Sequence, residues 1–401
     1  MKVLILGGAG LVAEAIERDL LEIDGEEVSK ITVADIDQEK IKNRIEDLHS
    51  PKVSPVLLDI CNHEVLLKLI REHDVVVNAA AAITTLAAVK AALQAGVNII
   101  GVLGVDLPAC APGAPLDEIG LPKQEFKDQL DDDFKKAGLT AIMGLGSMPG
   151  ISNLMARYFS DKLDTVESME FSYALASLAK TKTFFAFNPL DMISLYKAKP
   201  VILRDGKLIR IPRPRLSDRE IILFPEPIGK REVFYTFHDE PVIFSKSFKD
   251  KGLKNAGTKT GWSSEFLGKI EFLDSLGLLS FRPRKVKDVS IAPVRVLESG
   301  LTFEKVTPQD YGCTRLTVIG DKAGQRLEFI AEMFNRPYKG LSGTQYRTGI
   351  PLAIGVRMLK RGQIQRKGAF PPELGINPEI FFKELARRDL HISYTVRYLV
   401  A

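Results

Sequence analysis

The first thirteen residues constrain the fold more than any other stretch of the chain. Residues 3–6 are Val-Leu-Ile-Leu, an apolar run typical of a buried strand, and a Gly-Gly-Ala-Gly segment follows directly. Beyond the glycines, Val12, Ile16 and Leu20 recur at helical spacing and predict an amphipathic helix. A strand, a glycine-rich turn and a helix in this order indicate the start of a parallel α/β sheet.

From Gly8 the turn has the pattern Gly-x-Gly-x-x-Ala, in which a dinucleotide pyrophosphate meets a helix N-terminus. We expect Gly8 to allow the tight turn and Gly10 to let the backbone approach the phosphates. The N–H groups of the first helical turn, at Leu11 and Val12, are expected to hold the anion. Small residues also serve ordinary strand–helix turns, so the motif by itself is weak.

An acidic residue ends the second predicted strand, which covers residues 31–35. Asp35 lies about twenty residues beyond the glycines, where a carboxylate can accept hydrogen bonds from the adenosine ribose. The next residue, Ile36, offers no guanidinium to a 2′-phosphate, which favours NAD over NADP. The alternative is that Asp35 is a turn residue that begins the following helix.

Predicted strands and helices continue to alternate as far as residue 143, which implies a parallel sheet covered on both faces. Ligands of such sheets bind beyond the carboxyl ends of the strands. Small or polar residues fall at those ends and are candidate cofactor contacts; the alternative for each is a helix cap or a packing residue. These candidates are Asp59, Ile60, Asn78, Ala79 and Ala80.

The pattern changes after about residue 165, where short predicted strands and an Asp205-Gly206 hairpin signal replace the alternation. We predict an α/β protein with a Rossmann-type doubly wound parallel sheet over residues 1–160. A second, α+β substrate domain built on a largely antiparallel sheet is expected over residues 161–340. Residues 341–401 are predicted to form a C-terminal helical segment that packs back on the Rossmann domain. A Pro- and Gly-rich loop covers residues 105–122.

Composition excludes several classes of protein. The net charge of +4 over 401 residues is too small to indicate binding to nucleic acid or an anionic membrane. No apolar run approaches the ~20 residues of a membrane helix. The three cysteines, Cys61, Cys110 and Cys313, are few and far apart, so we expect neither a disulfide framework nor a metal site. These features favour a cytoplasmic protein.

A set of short motifs follows in a fixed order from residue 74 nearly to the C-terminus. They are Asp74-Val-Val-Val-Asn78-Ala-Ala, Ala91-Ala-Leu-Gln-Ala-Gly-Val97, Gly146-Ser-Met-Pro-Gly-Ile-Ser-Asn153, Phe187-Asn-Pro-Leu-Asp-Met, Pro225-Glu-Pro-Ile-Gly-Lys-Arg231-Glu-Val, His238-Asp-Glu240-Pro241, Arg347-Thr-Gly349-Ile-Pro and Gly368-Ala-Phe-Pro-Pro-Glu373. Their order and spacing resemble the saccharopine dehydrogenase-like family. This family includes saccharopine reductases, lysine 6-dehydrogenases and carboxynorspermidine synthases.

One position in the second glycine-rich segment indicates which subgroup of this family the chain resembles. Saccharopine reductases tend to carry Asp before its Pro-Gly, whereas this chain has Met148. Lysine 6-dehydrogenases have a small apolar residue there and use NAD, which agrees with Asp35 and Ile36. The resemblance therefore implies an NAD-dependent oxidoreductase for oxidative deamination of an amine or amino acid, of the lysine 6-dehydrogenase type.

In such a reaction hydride leaves the carbon that bears the amine, and water hydrolyses the resulting iminium. The amine must be neutral first, so a base or a water relay is required. His238 is the single histidine between residues 161 and 340 and titrates near neutral pH. Glu240, two residues on, is expected to face the same side of a strand. The alternative is a half-buried His at a strand end with a solvated Glu.

An amino-acid substrate also needs a cation for its carboxylate, and Arg provides two parallel hydrogen bonds. Arg231 and Arg347 lie in family-like motifs, and Thr348 follows the second. The alternative for each arginine is a solvated surface group. Arg315, which precedes a predicted strand, is a third arginine candidate, and Lys182 and Lys259 are weaker ones.

Three other interpretations stay open. The first is a saccharopine- or carboxynorspermidine-type reductase, which acts on a secondary amine, usually with NADPH. The second is a homospermidine synthase-like transferase that uses bound NAD without net redox change. The third is a non-catalytic dinucleotide sensor. The expected partners are a small amine or amino-acid substrate and a second copy of the chain in a homodimer, with no nucleic acid and no membrane.

Overall fold

The computed structural model describes residues 1–104, 124–177, 189–212, 219–262, 264–300 and 310–400. The chain divides into two units. Within the described residues, unit 1 consists of residues 1–104, 124–154 and 345–389, and unit 2 of residues 155–344 and 390–400. The predicted loop at 105–122 and Lys182 lie outside the described residues.

The secondary-structure elements of the described residues are numbered in chain order. The strands are β1 (Lys2–Leu6), β2 (Lys30–Asp35), β3 (Val53–Leu57), β4 (Val75–Asn78), β5 (Asn98–Gly101), β6 (Thr140–Met143), β7 (Thr165–Ser177), β8 (Val201–Arg204), β9 (Lys207–Arg210), β10 (Glu220–Leu223), β11 (Lys230–Tyr235), β12 (Asn255–Gly261), β13 (Arg284–Val286), β14 (Val289–Ile291), β15 (Asp310–Lys322), β16 (Gln325–Asn335), β17 (Gly368–Phe370) and β18 (Ile392–Tyr398). The helices are α1 (Leu11–Glu22), α2 (Gln38–Leu48), α3 (His63–Ile70), α4 (Ala82–Ala95), α5 (Gln124–Lys136), α6 (Ile151–Ser160), α7 (Pro189–Lys197), α8 (Glu240–Ser247), α9 (Ser264–Ser275), α10 (Pro293–Gly300), α11 (Gly343–Lys360) and α12 (Pro378–Ala386).

Unit 1 contains a seven-stranded sheet in the order β17-β6-β5-β4-β1-β2-β3. Every neighbouring pair is parallel. Leu6 at the end of β1 is level with Ala34 on one side and Asn78 on the other, so the carboxyl ends share one edge. The strand order reverses between β1 and β4, which makes this the topological switch point. The predicted Rossmann-type doubly wound sheet is confirmed.

The inner strands of this sheet, such as β1 and β4, are apolar and buried on both faces because helices cover both sides. Leu4 and Leu6 join one core cluster with Val76 and Ile99, while Val3, which points to the other face, is equally buried. This double burial explains why β1 has an uninterrupted apolar sequence rather than an alternating one.

Strand β17 was not predicted from the sequence. It contributes three residues beside β6, parallel to it, with Gly368 level with Thr140 and Phe370 level with Ile142. Three residues are too few to show a strand periodicity, so the pattern at residues 368–370 carried no signal. With β17, helix α12 and residues 345–360 of α11 belong to unit 1.

A buried ion network connects the C-terminal helices to the first helix. Asp19 of α1 accepts hydrogen bonds from Arg357 of α11 and from Arg388, which follows α12. The two arginine side chains are 1% and 0% exposed. Burial of a charged group is tolerated only with a partner, so each member of this network depends on the others.

Unit 2 is built on a mixed sheet in the order β10-β11-β12-β7-β15-β16-β18, with β8 and β9 attached beside β12. Only β12 and β7 run parallel among the described neighbours; the other pairs are antiparallel. Asp205 and Gly206 join β8 to β9, both with positive φ, as a two-residue hairpin turn requires. The largely antiparallel α+β domain is confirmed.

The segment that carries His238 and Glu240 differs from its prediction. Strand β11 ends at Tyr235, and Glu240 is the first residue of α8. The expectation that both side chains face one side of a strand is therefore wrong. Pro241 suits the first turn of a helix, where a backbone N–H has no intrahelical partner.

No helix of the described chain is long and apolar enough to cross a membrane. A cytoplasmic location stays a prediction.

Candidate active site

The first glycine turn, residues 7–10, links β1 to α1 at the switch point. Gly7 has a φ of 72° and would place a Cβ 2.6 Å from the Cα of Ala80. Gly8 donates its N–H to the carbonyl of Ala34 at 3.0 Å, and a Cβ there would lie 2.5 Å from Val33 Cγ1. The tight turn predicted at Gly8 is therefore made by Gly7. Because Gly7 and Gly8 are adjacent, the sequence pattern alone did not show which of them makes the turn.

The helix N-termini at the switch point are not capped by side chains. Gly10 is the N-cap of α1 and Ala81 that of α4, and neither makes a side-chain cap. By contrast, α2 and α3 are capped by the side chains of Asp37 and Asn62. The initial N–H groups of a helix attract anions. The termini next to the β1–β4 crevice thus have the character of a phosphate site.

The first turn of α1 contains two of the predicted anion contacts. Leu11 is exposed and Val12 is half-buried, with Ala13 fully buried behind them. A small buried residue at this last position of the motif lets the helix pack close to its strand. The anion contacts of the two preceding residues stay predictions.

Asp35 lies at the end of β2 and touches the first glycine turn. Its Oδ2 accepts a hydrogen bond from the N–H of Ala9 at 3.1 Å. Its Oδ1 accepts from the N–H groups of Ile36 and Asp37 at 2.8 and 3.2 Å. The Ile36 side chain is 70% exposed. The carboxylate thus has a turn-forming role, and its proposed contact with the ribose stays a prediction.

The remaining cofactor candidates follow β3 and β4 on the same sheet edge. Asp59 is exposed, and Ile60 beside it is buried. Asn78 is buried and accepts a hydrogen bond from the N–H of Ala80 at 3.3 Å. Ala79 donates its N–H to the end of β1. Asn78 therefore helps to shape the segment that approaches the first glycine turn.

The second glycine turn, residues 144–150, follows β6 on the same edge. Gly150 donates its N–H to Asn153 Oδ1 at 2.9 Å, and Asn153 Nδ2 donates to Glu373 at 2.8 Å. Asn153 is 0% exposed and Glu373 is 1% exposed. The sequence did not predict a role for this pair. The feature that could have indicated one is that each residue ends one of the family-like motifs.

Helix α11 begins against helix α1. Gln345 Nε2 donates to the carbonyl of Leu11 at 3.4 Å. A Cβ on Gly349 would lie only 2.6 Å from the carbonyl oxygen of Val12. The absence of a side chain at Gly349 thus permits the two helices to approach closely next to the first glycine turn.

The same end of α11 also contacts the second glycine turn. A Cβ on Gly146 would lie 3.4 Å from Thr348 Cγ2 and 3.1 Å from Val102 Cγ2, just beyond β5. Arg347, the preceding residue, is buried, with 5% of its surface exposed. The predicted pair Arg347 and Thr348 therefore belongs to a helix end that packs on the first turn of α1 and against the second glycine turn.

In unit 2, His238 and Glu240 are in direct contact. Nδ1 of His238 makes a short hydrogen bond with Oε2 of Glu240, whose side chain is 1% exposed. An ionised carboxylate only accepts, so in that state Nδ1 carries the proton and Nε2 is the basic nitrogen. The His–Glu pair is thus formed by a loop and a helix start instead of a strand.

Two of the other cationic candidates of unit 2 are engaged in the sheet. Arg315 pairs with Glu332 at 2.5 Å across β15 and β16. Lys259 pairs with Glu170 at 2.7 Å. Arg231 of β11 is half-buried and donates to a neighbouring backbone carbonyl. Substrate binding by Arg231 stays a prediction, and the first two side chains have structural partners.

The predicted residues fall in both units. All the cofactor candidates lie in unit 1 with Arg347 and Thr348, whereas Arg231, His238 and Glu240 lie in unit 2. Among the described residues, no group of three or more His, Cys, Asp or Glu is placed to hold a metal ion.

A Rossmann sheet with an open glycine turn at its switch point, followed by an α+β unit, is the architecture of an NAD(P)-dependent oxidoreductase. Residues 3–142 match the family model described as saccharopine dehydrogenase NADP binding domain. Residues 146–390 match the saccharopine dehydrogenase C-terminal domain. The chain belongs to the saccharopine dehydrogenase family, as its motifs predicted.

Relatives with curated names match nearly the whole chain. It is 26% identical to carboxynorspermidine synthase of Vibrio cholerae over 87% of this chain and 84% of that protein. It is 24% identical to carboxyaminopropylagmatine dehydrogenase of Synechocystis over 97% of this chain and 96% of that protein.

Solved structures show the same fold. Apo saccharopine dehydrogenase (L-Glu forming) from Saccharomyces cerevisiae matches with a TM-score of 0.74 and 16% identity, covering 99% of both chains. Homospermidine synthase from Legionella pneumophila in complex with NAD matches with a TM-score of 0.68 and 15% identity, covering 99% of this chain and 91% of that one. The protein is thus a saccharopine dehydrogenase-like oxidoreductase with an NAD(P)-binding domain.

Proposed function

We propose that this protein oxidises or reduces the C–N bond of an amine that also carries a carboxylate, with NAD as coenzyme. The observation that supports this most is the position of Arg347. It is a buried cation in the helix end that packs on the first turn of α1 and against the second glycine turn. A guanidinium binds a carboxylate through two parallel hydrogen bonds, so a substrate carboxylate is a suitable ligand for it.

For the substrate class we favour a secondary amine that links an amino-acid part to a second amine. Two relatives that match along 84% and 96% of their own length bear names of carboxylated amine compounds. The redox step is the same as for a free amine, because hydride is exchanged at the carbon attached to nitrogen.

The second candidate is oxidative deamination of the lysine 6-dehydrogenase type. It is favoured by Met148, which replaces the Asp that saccharopine reductases tend to carry in the second glycine turn. The sequence Asp35-Ile36 favours NAD, as expected for this type. A free amine substrate such as lysine then releases an aldehyde and ammonia.

The roles proposed for the chain's own residues are the same in both cases. Arg347 and Thr348 bind and orient the carboxylate, and Arg231 is a further candidate for that contact. His238 takes or gives a proton at Nε2 near the reacting nitrogen while Glu240 orients the ring through Nδ1. A nicotinamide held at this sheet edge would supply the hydride acceptor or donor.

Arg347→Leu tests the carboxylate role. The variant is expected to raise KM for lysine or saccharopine far more than for cadaverine, because only the first two lose a charged hydrogen-bond pair. That loss is on the order of 2–5 kcal/mol for a buried pair. Steady-state NAD reduction with each substrate measures these KM values. Arg347→Lys keeps the charge but lacks the paired guanidinium donors, so its KM should lie between those of the wild type and Arg347→Leu.

A second variant in the same experiment tests the proton-transfer role of His238 separately from carboxylate binding. His238→Gln is expected to lower kcat and to remove a limb near neutral pH from the rate profile, with little change in KM. Equal weakening of lysine and cadaverine by Arg347→Leu contradicts the carboxylate role. An unchanged kcat and pH profile in His238→Gln contradicts the role of His238 as the base.

The homodimer stays a prediction of the sequence.

A further inference from the structure

A cluster of three charged side chains lies behind the first glycine turn. Glu14 and Glu17 are on α1, and Arg44 is on α2. Arg44 Nη1 is 2.6 Å from Glu14 Oε2, and its Nε is 3.6 Å from Glu17 Oε2. Its Nη2 donates to the carbonyl of Gly10 at 3.2 Å. The side chain of Arg44 is only 9% exposed, so the protein itself supplies its partners.

This guanidinium lies at the ribose end of the dinucleotide edge. Asp35 accepts a hydrogen bond from Ala9, and Arg44 donates one to Gly10, the next residue of the same turn. A positive side chain next to the acidic residue of the second strand is what NADP-binding folds use for the 2′-phosphate. Arg44 lies nine residues beyond Asp35 in the sequence, and the fold of α2 brings its side chain back to Gly10.

The charge of Arg44 is balanced within the cluster. Glu14 also accepts from Arg18 through its other oxygen at 2.6 Å, which fixes the carboxylate between two guanidinium groups. Glu17 is fully buried, and burial raises its pKa well above the usual range although Arg44 opposes the shift. Glu14, at 2.6 Å from the guanidinium against 3.6 Å for Glu17, is therefore the closer counter-charge of Arg44.

We propose that Glu14 is a coenzyme-specificity residue that keeps Arg44 from serving as a 2′-phosphate ligand. It holds the guanidinium against Gly10 and balances its charge, so a phosphorylated ribose meets Asp35 without a compensating cation. The inference rests on the proposed use of NAD at this edge. It adds a second device for coenzyme selection, separate from Asp35 and Ile36.

Glu14→Gln tests the proposal by direct titration of the full chain with NADH and NADPH, followed by fluorescence. The amide keeps the shape of the side chain but removes the charge that holds Arg44. Affinity for NADPH is expected to rise on the order of tenfold, as one charge-assisted hydrogen bond allows, and affinity for NADH to change little. The matched control is Glu39→Gln, which removes an exposed charge from the first turn of α2. It should change neither the NADPH affinity nor the NADH affinity.

Two variants of Arg44 test whether this residue causes the rise in NADPH affinity. In the double variant Glu14→Gln with Arg44→Met, NADPH affinity should return to the wild-type value. If the double variant still binds NADPH more tightly than the wild type, the rise is a general charge effect and the proposal is overturned. Arg44→Met alone should leave the NADPH affinity of the wild type unchanged, and it keeps the test decisive if Glu14→Gln does not fold. A loss of NADPH affinity in that variant shows that Arg44 already serves the phosphate, which also overturns it.

The readout separates this inference from the proposed function. Binding is measured without an amine, so normal coenzyme binding without amine turnover contradicts only the proposed substrate. Wild-type protein that binds neither coenzyme contradicts the dinucleotide role itself. An unchanged NADPH affinity in folded Glu14→Gln contradicts the role of Glu14 alone.

Discussion

The two glycine turns of unit 1 lie on one sheet edge and differ at the helix start that follows each of them. In the first, Gly7 fits against Ala80, the carboxylate of Asp35 accepts from Ala9, and the N-cap Gly10 makes no side-chain cap. The second is closed by side chains, because Asn153 holds Gly150 and is itself held by a buried carboxylate. The helix start after the first turn thus has no side-chain cap and can receive an anion, whereas the second turn is held by a side chain of the helix that follows it.

This difference separates ligand binding from structural support. A turn that binds phosphate must keep N–H groups available, so its glycines serve close approach. A turn that is supported from within can place neighbouring groups rigidly, and here it contacts Thr348. We therefore expect changes in the first turn to affect the coenzyme, and changes in the second to affect the fold.

The largest expected effect is that of Gly150→Ala. Gly150 has a φ of 132°, and a Cβ there would lie 2.0 Å from the carbonyl oxygen of Gly146, which cannot move away cheaply. We expect a loss of more than about 4 kcal/mol in the free energy of unfolding, the range of the most damaging core changes. Thermal unfolding followed by circular dichroism measures it. A variant with wild-type stability would show that the second turn is not internally supported.

Gly10→Val is expected to have a smaller effect of another kind. Gly10 has an ordinary negative φ of −74°, so valine can adopt the backbone, but its branched side chain enters the space that a pyrophosphate needs. NADH affinity should fall on the order of a hundredfold, about 2.7 kcal/mol, while the circular dichroism spectrum is kept. Unchanged affinity would remove the contrast between the turns and leave both as structural.

The smallest expected effect is a change of coenzyme preference at the first turn. Asp35→Ser combined with Ile36→Arg removes the carboxylate and supplies a guanidinium for the 2′-phosphate. The ratio of the two dissociation constants should shift on the order of tenfold or more toward NADP. The same titration of the wild type is the control, and equal affinity for NAD and NADP there would contradict the predicted preference.

Local patterns allowed most of unit 1 to be predicted. An apolar strand buried on both faces has a distinctive sequence, and helix ends such as Asn62 at α3 and Gly96 at α4 carry their own chemistry. Strand β17 escaped because it is a strand only through its pairing with β6. The positive φ of Gly7 escaped because the neighbour that requires it, Ala80, is distant in sequence.

The candidate site was less predictable for the same reason. The pairs Arg44–Glu14 and Asn153–Glu373 join residues from different elements, and nothing in either local sequence specifies the partner. The contact of His238 with Glu240 was expected from short spacing, but its geometry was wrong because the helix begins at Glu240. Family-like motifs indicated the regions without indicating which atoms meet.

The buried Asp19 network has a consequence for synthesis on the ribosome. Asp19 and Arg388 are separated by 369 residues, so the first helix is made long before its last cationic partner exists. At translation rates of about 5–20 residues per second, the interval is roughly 20 to 75 s. During this time the nascent N-terminal segment lacks its seventh strand and carries an acidic group in a forming core. Completion of the nucleotide-binding unit is therefore a late, nearly post-translational event, although it begins at the first residue.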